Sequence, residues 1–449
     1  MSANLNPLKK YLLLLLLICI AFKINADNKK DSIEKWSYHF QFTTVEQGHS
    51  AFNAAYSGRN SLSNQQESAL SVTSTLFLGR KLWKGASFYF NPEIAGGKGI
   101  STALGVAGFP NGECFRIGEA SPALYVGRAF LRQHIAIGNN EKVSQEADIN
   151  QLGGEKVPSS RITITAGRFS IADIFDCNSY SHDPRTQFMN WALMSNGAWD
   201  YPANTRGYTY GFVLELIKPT WAIRVSEMMV GTTANGEVMD VNIGQARGET
   251  IELEKDFKMK GHPGAIRLLG FHNLSRAANY ENTIALYKSG IDTSLNVNSQ
   301  TTYGGLKYGV GINLEQELTK NIGLFARASW NDGKTATWAF TEIDQSASIG
   351  LTIKGTKWKR PDDIIGIAGV MNGISNEHWD FLYTGGYGFI IGDGKLTHYG
   401  AETIGEAYYS IQLFKSFWLT ADYQYVQNPA YNRDRGPVNI WGIRGHVEF

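Results

Sequence analysis

From Lys35 onward the chain keeps returning to one pattern, short runs in which apolar and polar side chains alternate. Successive side chains of a β-strand point to opposite faces, so each such run presents one apolar face and one polar face. A helix would space its apolar residues three and four apart. In KWSYHFQF, Trp36, Tyr38, Phe40 and Phe42 share one face, with Ser37, His39 and Gln41 on the other. Leu306, Tyr308, Val310, Ile312 and Leu314 alternate in the same way with Lys307, Gly309, Gly311, Asn313 and Glu315. So do Ile322, Leu324, Ala326, Ala328 and Trp330 with Gly323, Phe325, Arg327, Ser329 and Asn331. About sixteen such runs predict an all-β chain, in keeping with the even strand number of single-chain barrels.

What lies against the apolar faces decides the class. Mean hydropathy is only −0.24, yet aromatics make up 12% and glycines number 48. Beyond the first residues no apolar stretch approaches the roughly 20 residues of a transmembrane helix. A polar average and a membrane location are compatible in a closed barrel with a wet lumen, because only alternate residues meet lipid. Composition alone leaves a large secreted β-protein open. With 42 Lys+Arg against 41 Asp+Glu the chain is nearly neutral, which argues against a nucleic-acid partner.

Charged residues in the strands indicate which face is wet. Arg128, Arg132 and His134 share one parity, opposite Gly127, Ala129, Leu131 and Ile135. An arginine facing lipid at mid-depth costs about 2–4 kcal/mol, so these should point inward. The same reasoning places Glu93, Glu215, Arg224, Glu315, Arg327, Glu406, Asp422 and Arg444 inside, where charges of both signs would make a hydrogen-bonding field without strong ion preference. On the strand entering at Tyr208, parity assigns Tyr208 to the apolar face with Tyr210, Phe212, Leu214 and Leu216. Residues 231–262 are charged and poorly periodic and read as loop with short strands. The glycine-rich tract 96–112 reads as a loop or mobile excursion.

MSANLNPLKKYLLLLLLICIAFKINA has a basic start and an apolar run from Tyr11 to Phe22, too short to span a bilayer comfortably. It reads as a secretory signal peptide cleaved after Ala26, leaving residues 27–449 as one domain. Two cysteines then remain, Cys114 and Cys177. An exported chain with two cysteines permits one disulfide, here between the segment after Pro110 and the central loop.

That central loop, residues 169–211, is long and dense in groups that suit a polyhydroxylated ligand. Planar amides, carboxylates and guanidiniums pair with adjacent hydroxyls, and aromatic faces cover the C–H side of a sugar ring. It offers Asp176, Asp183, Arg185, Gln187, Asn190, Trp191, Trp199, Asp200 and Arg206. With Arg128, Arg132, Glu215, Arg224 and Arg327 from the strands, these are the candidate constriction and sugar-binding residues. The bland alternative is a surface lid whose polar groups satisfy one another. NPAYNRDRGPV, with Arg433, Asp434 and Arg435, is a second candidate at the mouth, or else a loop held by its own ion pairs.

The segment AGRFSIADIFD followed by SHDPRTQFMNWALMSNGAWDYPANTRGYTYG resembles the signature stretch of the OprB-type carbohydrate-selective porins. YSGRNSLS, LFLGRKLWKGASFYFNPEIAGGKGIS, GVAGFPNGE and NPAYNRDRGPV follow in family order. The resemblance implies a transmembrane antiparallel barrel of about sixteen strands with long extracellular loops. It also implies an inward-folded constriction loop and passive diffusion of small sugars across a bacterial outer membrane, as a monomer or trimer, without cofactor, metal or energy source. The last strand, VNIWGIRGHVEF, ends on Phe449 and resembles the terminal aromatic of outer-membrane barrels, which favours the membrane reading over the soluble one. G-x-S-x-G, H-E-x-x-H, C-x-x-C and phosphate-loop motifs are missing, and the nine histidines lack metal-ligand spacing. The chain therefore reads as a channel and not as an enzyme, with a general porin for small polar solutes as the alternative.

Overall fold

The computed structural model describes residues 34–115, 120–138, 141–298 and 302–449, so the leader reading at 1–26 lies outside the described residues. The strands in chain order are β1 (Trp36–His49), β2 (Glu67–Trp83), β3 (Ala86–Gly97) and β4 (Ala123–Ala136), then a small ribbon, β5 (Lys142–Ser144) with β6 (Lys156–Pro158). There follow β7 (Arg161–Phe169), β8 (Thr209–Lys218), β9 (Trp221–Met228), β10 (Arg247–Met259), β11 (His262–Ser275) and β12 (Gly305–Thr319). The last are β13 (Ile322–Asn331), β14 (Gln345–Gly355), β15 (Arg360–Gly373), β16 (Glu402–Phe414), β17 (Phe417–Gln427) and β18 (Val438–Glu448). All except the ribbon form one closed antiparallel barrel of sixteen strands in chain order, β7 following β4 and β18 closing on β1. Closure leaves no unpaired strand edge, the condition for a sheet to stand in lipid.

The predicted faces hold. On β1, Ser37, Gln41 and Thr43 are buried inside while Trp36 and Tyr38 are exposed outside. The outer surface carries an apolar band including Leu214, Val225, Leu268, Val310, Ile349 and Ile443, all exposed. Exposed aromatics flank it, with Trp36, Trp83 and Phe414 toward the short turns and Tyr210, Tyr308, Trp330 and Trp441 toward the long loops. That is the girdle pattern of a transmembrane barrel. Among the described residues no helix is long and apolar enough to cross a membrane.

Three expectations about the chain path need correction. Residues 247–259 form a full strand, β10. Its charge hid it: Glu252 and Glu254 point into the lumen, where Arg224 pairs with both, so the alternation is between exposed Ile251 and Leu253 and inward acids. Tyr208 precedes β8 and is buried in the lumen, 5% exposed, instead of joining the lipid face. The tract 96–112 is no mobile excursion, since Ile100, Val106, Ala107 and Phe109 are fully buried.

The hydrophobic core therefore lies inside the barrel, where two loops fold inward. Residues 98–115 and 170–208 meet there: Gly112 N donates to Met189 O at 2.7 Å and Trp191 N to Phe109 O at 2.9 Å. Phe109, Phe175, Phe188 and Trp199 are fully buried between them and the wall. Within the second loop, the single turn α1 (Trp191–Met194) starts at Asn190, whose side chain accepts from Ala192 N. Toward the long-loop mouth, α2 (Tyr280–Lys288) and α3 (Asn376–Tyr383) pack together, with Tyr280 stacked on His378.

Candidate functional site

The inward charges of the wall divide into two jobs, and most of them anchor the central loop. Arg327 Nε donates to Asp176 Oδ1 at 3.1 Å, and its other nitrogens donate to Leu193 O and Ser181 O. Glu406 accepts from Met189 N and Asn190 N, and Glu315 from Ser179 N. Arg444 donates to Pro184 O and Gln187 O. Buried backbone groups away from regular structure need partners, and the wall supplies them.

Several residues expected at the sugar are thus occupied elsewhere. Asp176 and Asn190 are fully buried. Asp200 accepts from Trp338 N, Ala339 N and Phe340 N, holding the next loop down, and Trp199 is enclosed beside it. Gln187 accepts from His182 N and Asp183 N, and Asp183 accepts from Arg185 N, so both shape the loop's tip. Arg224 and Glu215 stay on the lumen wall but are tied into a ladder, with Arg224 3.0 Å from Glu215, 2.9 Å from Glu252 and 3.0 Å from Glu254. Arg267 continues it between Glu254 and Glu315. At the mouth, Asp434 pairs with His398, while Arg435 is 3% exposed and donates to Leu62 O and Tyr56 O. That segment clasps loop 50–66 through partners on other loops, where its structural reading expected ion pairs of its own.

What remains open is built around Arg185. Its Nη2 stands 3.1 Å from Glu93 Oε2, its Nε 3.0 Å from Glu113 Oε2, and its Nη1 3.0 Å from both Thr75 Oγ1 and Gln41 Oε1. Glu93 is also the acceptor for Thr75, for Tyr208 at 3.1 Å and for Tyr125. Arg185, Glu93, Glu113, Tyr125 and Tyr208 line a cavity of about 120 Å3, with Arg206, Phe115, Trp191 and Phe340 also in its walls. Arg206 lies over the rings of Tyr125 and Phe115 at 4.3 and 4.5 Å, a cation–π contact with each.

A β-bulge makes this arrangement possible. On β4 one extra residue at Gly127 opposes the Asn91–Pro92 step of β3, so parity flips between Tyr125 and Arg128 and both face the lumen. A Cβ at Gly127 would sit 3.1 Å from the Tyr208 ring, so the bulge is also the seat of that tyrosine. Arg128 then reaches Asp173 at 2.5 Å and Tyr208 OH at 3.4 Å, closing the floor beneath the Glu93 cluster. Arg132 lies deeper, in a second hollow. Of the sequence candidates, Glu93, Arg185, Arg206 and Trp191 line this cavity. Glu113, Phe115, Tyr125 and Tyr208 also line it and are not among them: Glu113 and Phe115 follow the tract 96–112, Tyr125 sits on β4 at the parity of Gly127, and parity assigns Tyr208 to the apolar face.

The disulfide that Cys114 and Cys177 would permit does not form; both thiols are free. Cys114 is buried against Asn111 O, while Cys177 lies beside the Arg224 ladder, its Sγ directed to Asp173 O. Burial raises both thiols, Cys177 to about 12.

Comparison with known proteins agrees with this architecture. The family model described as "Carbohydrate-selective porin, OprB family" matches residues 59–449. The high-pH structure of Pseudomonas putida OprB is 16% identical, covers 92% of this chain and 94% of that one, and gives a TM-score of 0.67. At that identity the likeness speaks for the fold. The outer-membrane channel DcaP of Acinetobacter baumannii is similar at 10% identity, covering 93% of this chain and 99% of that one, with a TM-score of 0.49. No curated protein matches. The chain belongs to the OprB family of carbohydrate-selective porins.

Proposed function

We propose that this barrel is a passive channel for monosaccharides and similar small sugars, selecting them at the Arg185–Glu93–Glu113 cluster. The observation that carries the reading is a guanidinium held across two carboxyl groups beside two tyrosine hydroxyls in a narrow cavity. Donors and acceptors alternate there on a fixed frame, as vicinal hydroxyls do on a sugar ring. Trp191 and Phe340 provide the flat apolar side. Charges already paired inside the cluster discourage ion binding while leaving lone pairs and N–H groups for a neutral polyol.

On this reading residues 1–26 direct export and are removed, and residues 27–449 insert into the outer membrane as one channel needing no cofactor. Its contacts are with lipid outside and sugar inside, with the path wholly within one chain. Liposome swelling tests it: vesicles with the purified protein should swell faster in glucose than in an uncharged non-sugar of equal size. Equal rates would make the protein a general porin for small polar solutes.

A further inference from the structure

Below the Arg128–Asp173 floor lies a larger hollow of about 320 Å3, and nothing in the constriction accounts for it. Its walls come from three separate parts of the chain: strands β4 and β7, the inward loop, and residues 149–151. The last belong to the connection between β4 and β7 on the short-turn side, which carries the β5–β6 ribbon. That connection is folded into the barrel end. Leu152 is fully buried, Gly153 N donates to Glu34 Oε2, and Lys81 pairs with Glu155 at 3.5 Å.

The polar lining of this hollow is unfinished. Asn150 Oδ1, Thr165 Oγ1 and His182 Nδ1 are all shielded and, among the described residues, have no hydrogen-bond partner, and each comes from a different one of the three parts. Thr165 is 1% exposed. Leaving a buried polar atom unsatisfied costs about 1–3 kcal/mol, so three around one hollow imply a partner that the described residues do not supply. Arg132 adds a guanidinium that donates to Asn150 O at 3.0 Å and, among the described residues, has no carboxylate at ion-pair distance. It lies 5.2 Å from the Phe130 ring centre, which fixes its plane.

We propose that this hollow is a second monosaccharide subsite on the short-turn side of the constriction, taking a neutral polyol through Arg132, Asn150, Thr165 and His182. The inference rests on the reading of the channel as a sugar path. Tyr125 of the upper cluster and Arg132 are seven residues apart on β4, roughly 23 Å of strand. A sugar released at Arg185 thus meets a second set of donors and acceptors before leaving, and Arg128, paired to Asp173, stands between the two.

Single-channel recording of the full protein with glucose added to one side at a time separates the possibilities. Two classes of sugar-induced interruption are expected. Thr165→Val keeps the side chain's shape, and should weaken only the class favoured from the short-turn side, by about three- to tenfold, the worth of one hydrogen bond. Gln151→Trp, on the solvent-reachable segment, should abolish that class by filling the hollow. Arg185→Ala should weaken the other class. A single class in the wild-type channel, or both classes unchanged by Thr165→Val and Gln151→Trp, overturns the second subsite while leaving the constriction intact. Absence of any interruption with glucose overturns the sugar path itself and the subsite with it.

Discussion

Arg185 Nη2 lies 3.1 Å from Glu93 Oε2, joining the tip of the inward loop to a strand of the barrel wall. The same guanidinium also reaches the wall at Thr75 Oγ1 and Gln41 Oε1, each 3.0 Å from Nη1. Replacing Arg185 by Ala removes the guanidinium that spans Glu93 and Glu113. Charge-assisted hydrogen bonds are worth about 1.5–3 kcal/mol each, so glucose affinity measured from current block should fall at least tenfold and open-channel conductance should rise. Unchanged values for both would take Arg185 out of the constriction.

Arg327 makes a different prediction, because it meets Asp176 where both side chains are buried and no path runs. Removing one member of a buried pair leaves the other uncompensated and costs about 3–5 kcal/mol. Arg327→Ala should therefore loosen the whole inward loop. The expected signs are a lower unfolding temperature and faster passage of solutes larger than monosaccharides. A variant that keeps wild-type size exclusion would show that the loop is held without this pair.

The mouth carries a pH-dependent staple. Asp344 is fully buried, 3.4 Å from Lys307, 2.9 Å from His378 at the start of α3, and accepts from Ser375 N. Burial alone would raise its carboxyl; Lys307 and then His378 outweigh this and hold it well below the ordinary range. A carboxyl lowered in the folded state stabilises it fully above the unfolded value near 4, and loses that contribution as pH falls toward the folded value. The difference in unfolding temperature between wild type and Asp344→Asn should thus be largest near pH 7 and shrink below about pH 4. A difference independent of pH would contradict the assignment.

Cys114 and Cys177 are expected to stay thiols. Thiolate is the reactive form, and burial keeps both groups protonated at neutral pH. Protein purified without reductant and then denatured should react with a thiol reagent at both positions, and its gel mobility should not depend on reductant. Loss of both thiols together would indicate the bridge that the folded geometry lacks.

Much of the barrel was legible because alternation is a direct consequence of strand geometry, and β12, β13, β17 and β18 show it without interruption. It failed where the lumen supplied a different apolar or polar balance. β10 carries acids on its inner face, and Tyr208 lies one residue outside its strand, so parity no longer governs it. The site was only half legible. Trp199 and Asp200 have the groups a sugar needs, but the same groups close a buried loop equally well. Only the positions of their partners, Asp200 at three backbone amides and Arg185 between two carboxyl groups, separate anchoring from selection. Glu113 and Tyr125 reach the path through a loop fold and a bulge, neither of which has a periodic signature.

The central claim, that this channel selects sugars at the Arg185–Glu93–Glu113 cluster, is tested most directly by planar-bilayer conductance of the purified protein titrated with glucose, then with an uncharged non-sugar of similar size. The account predicts saturable block by glucose alone, and loss of that block in Glu93→Gln. Open channels that glucose and the control solute affect equally would contradict it.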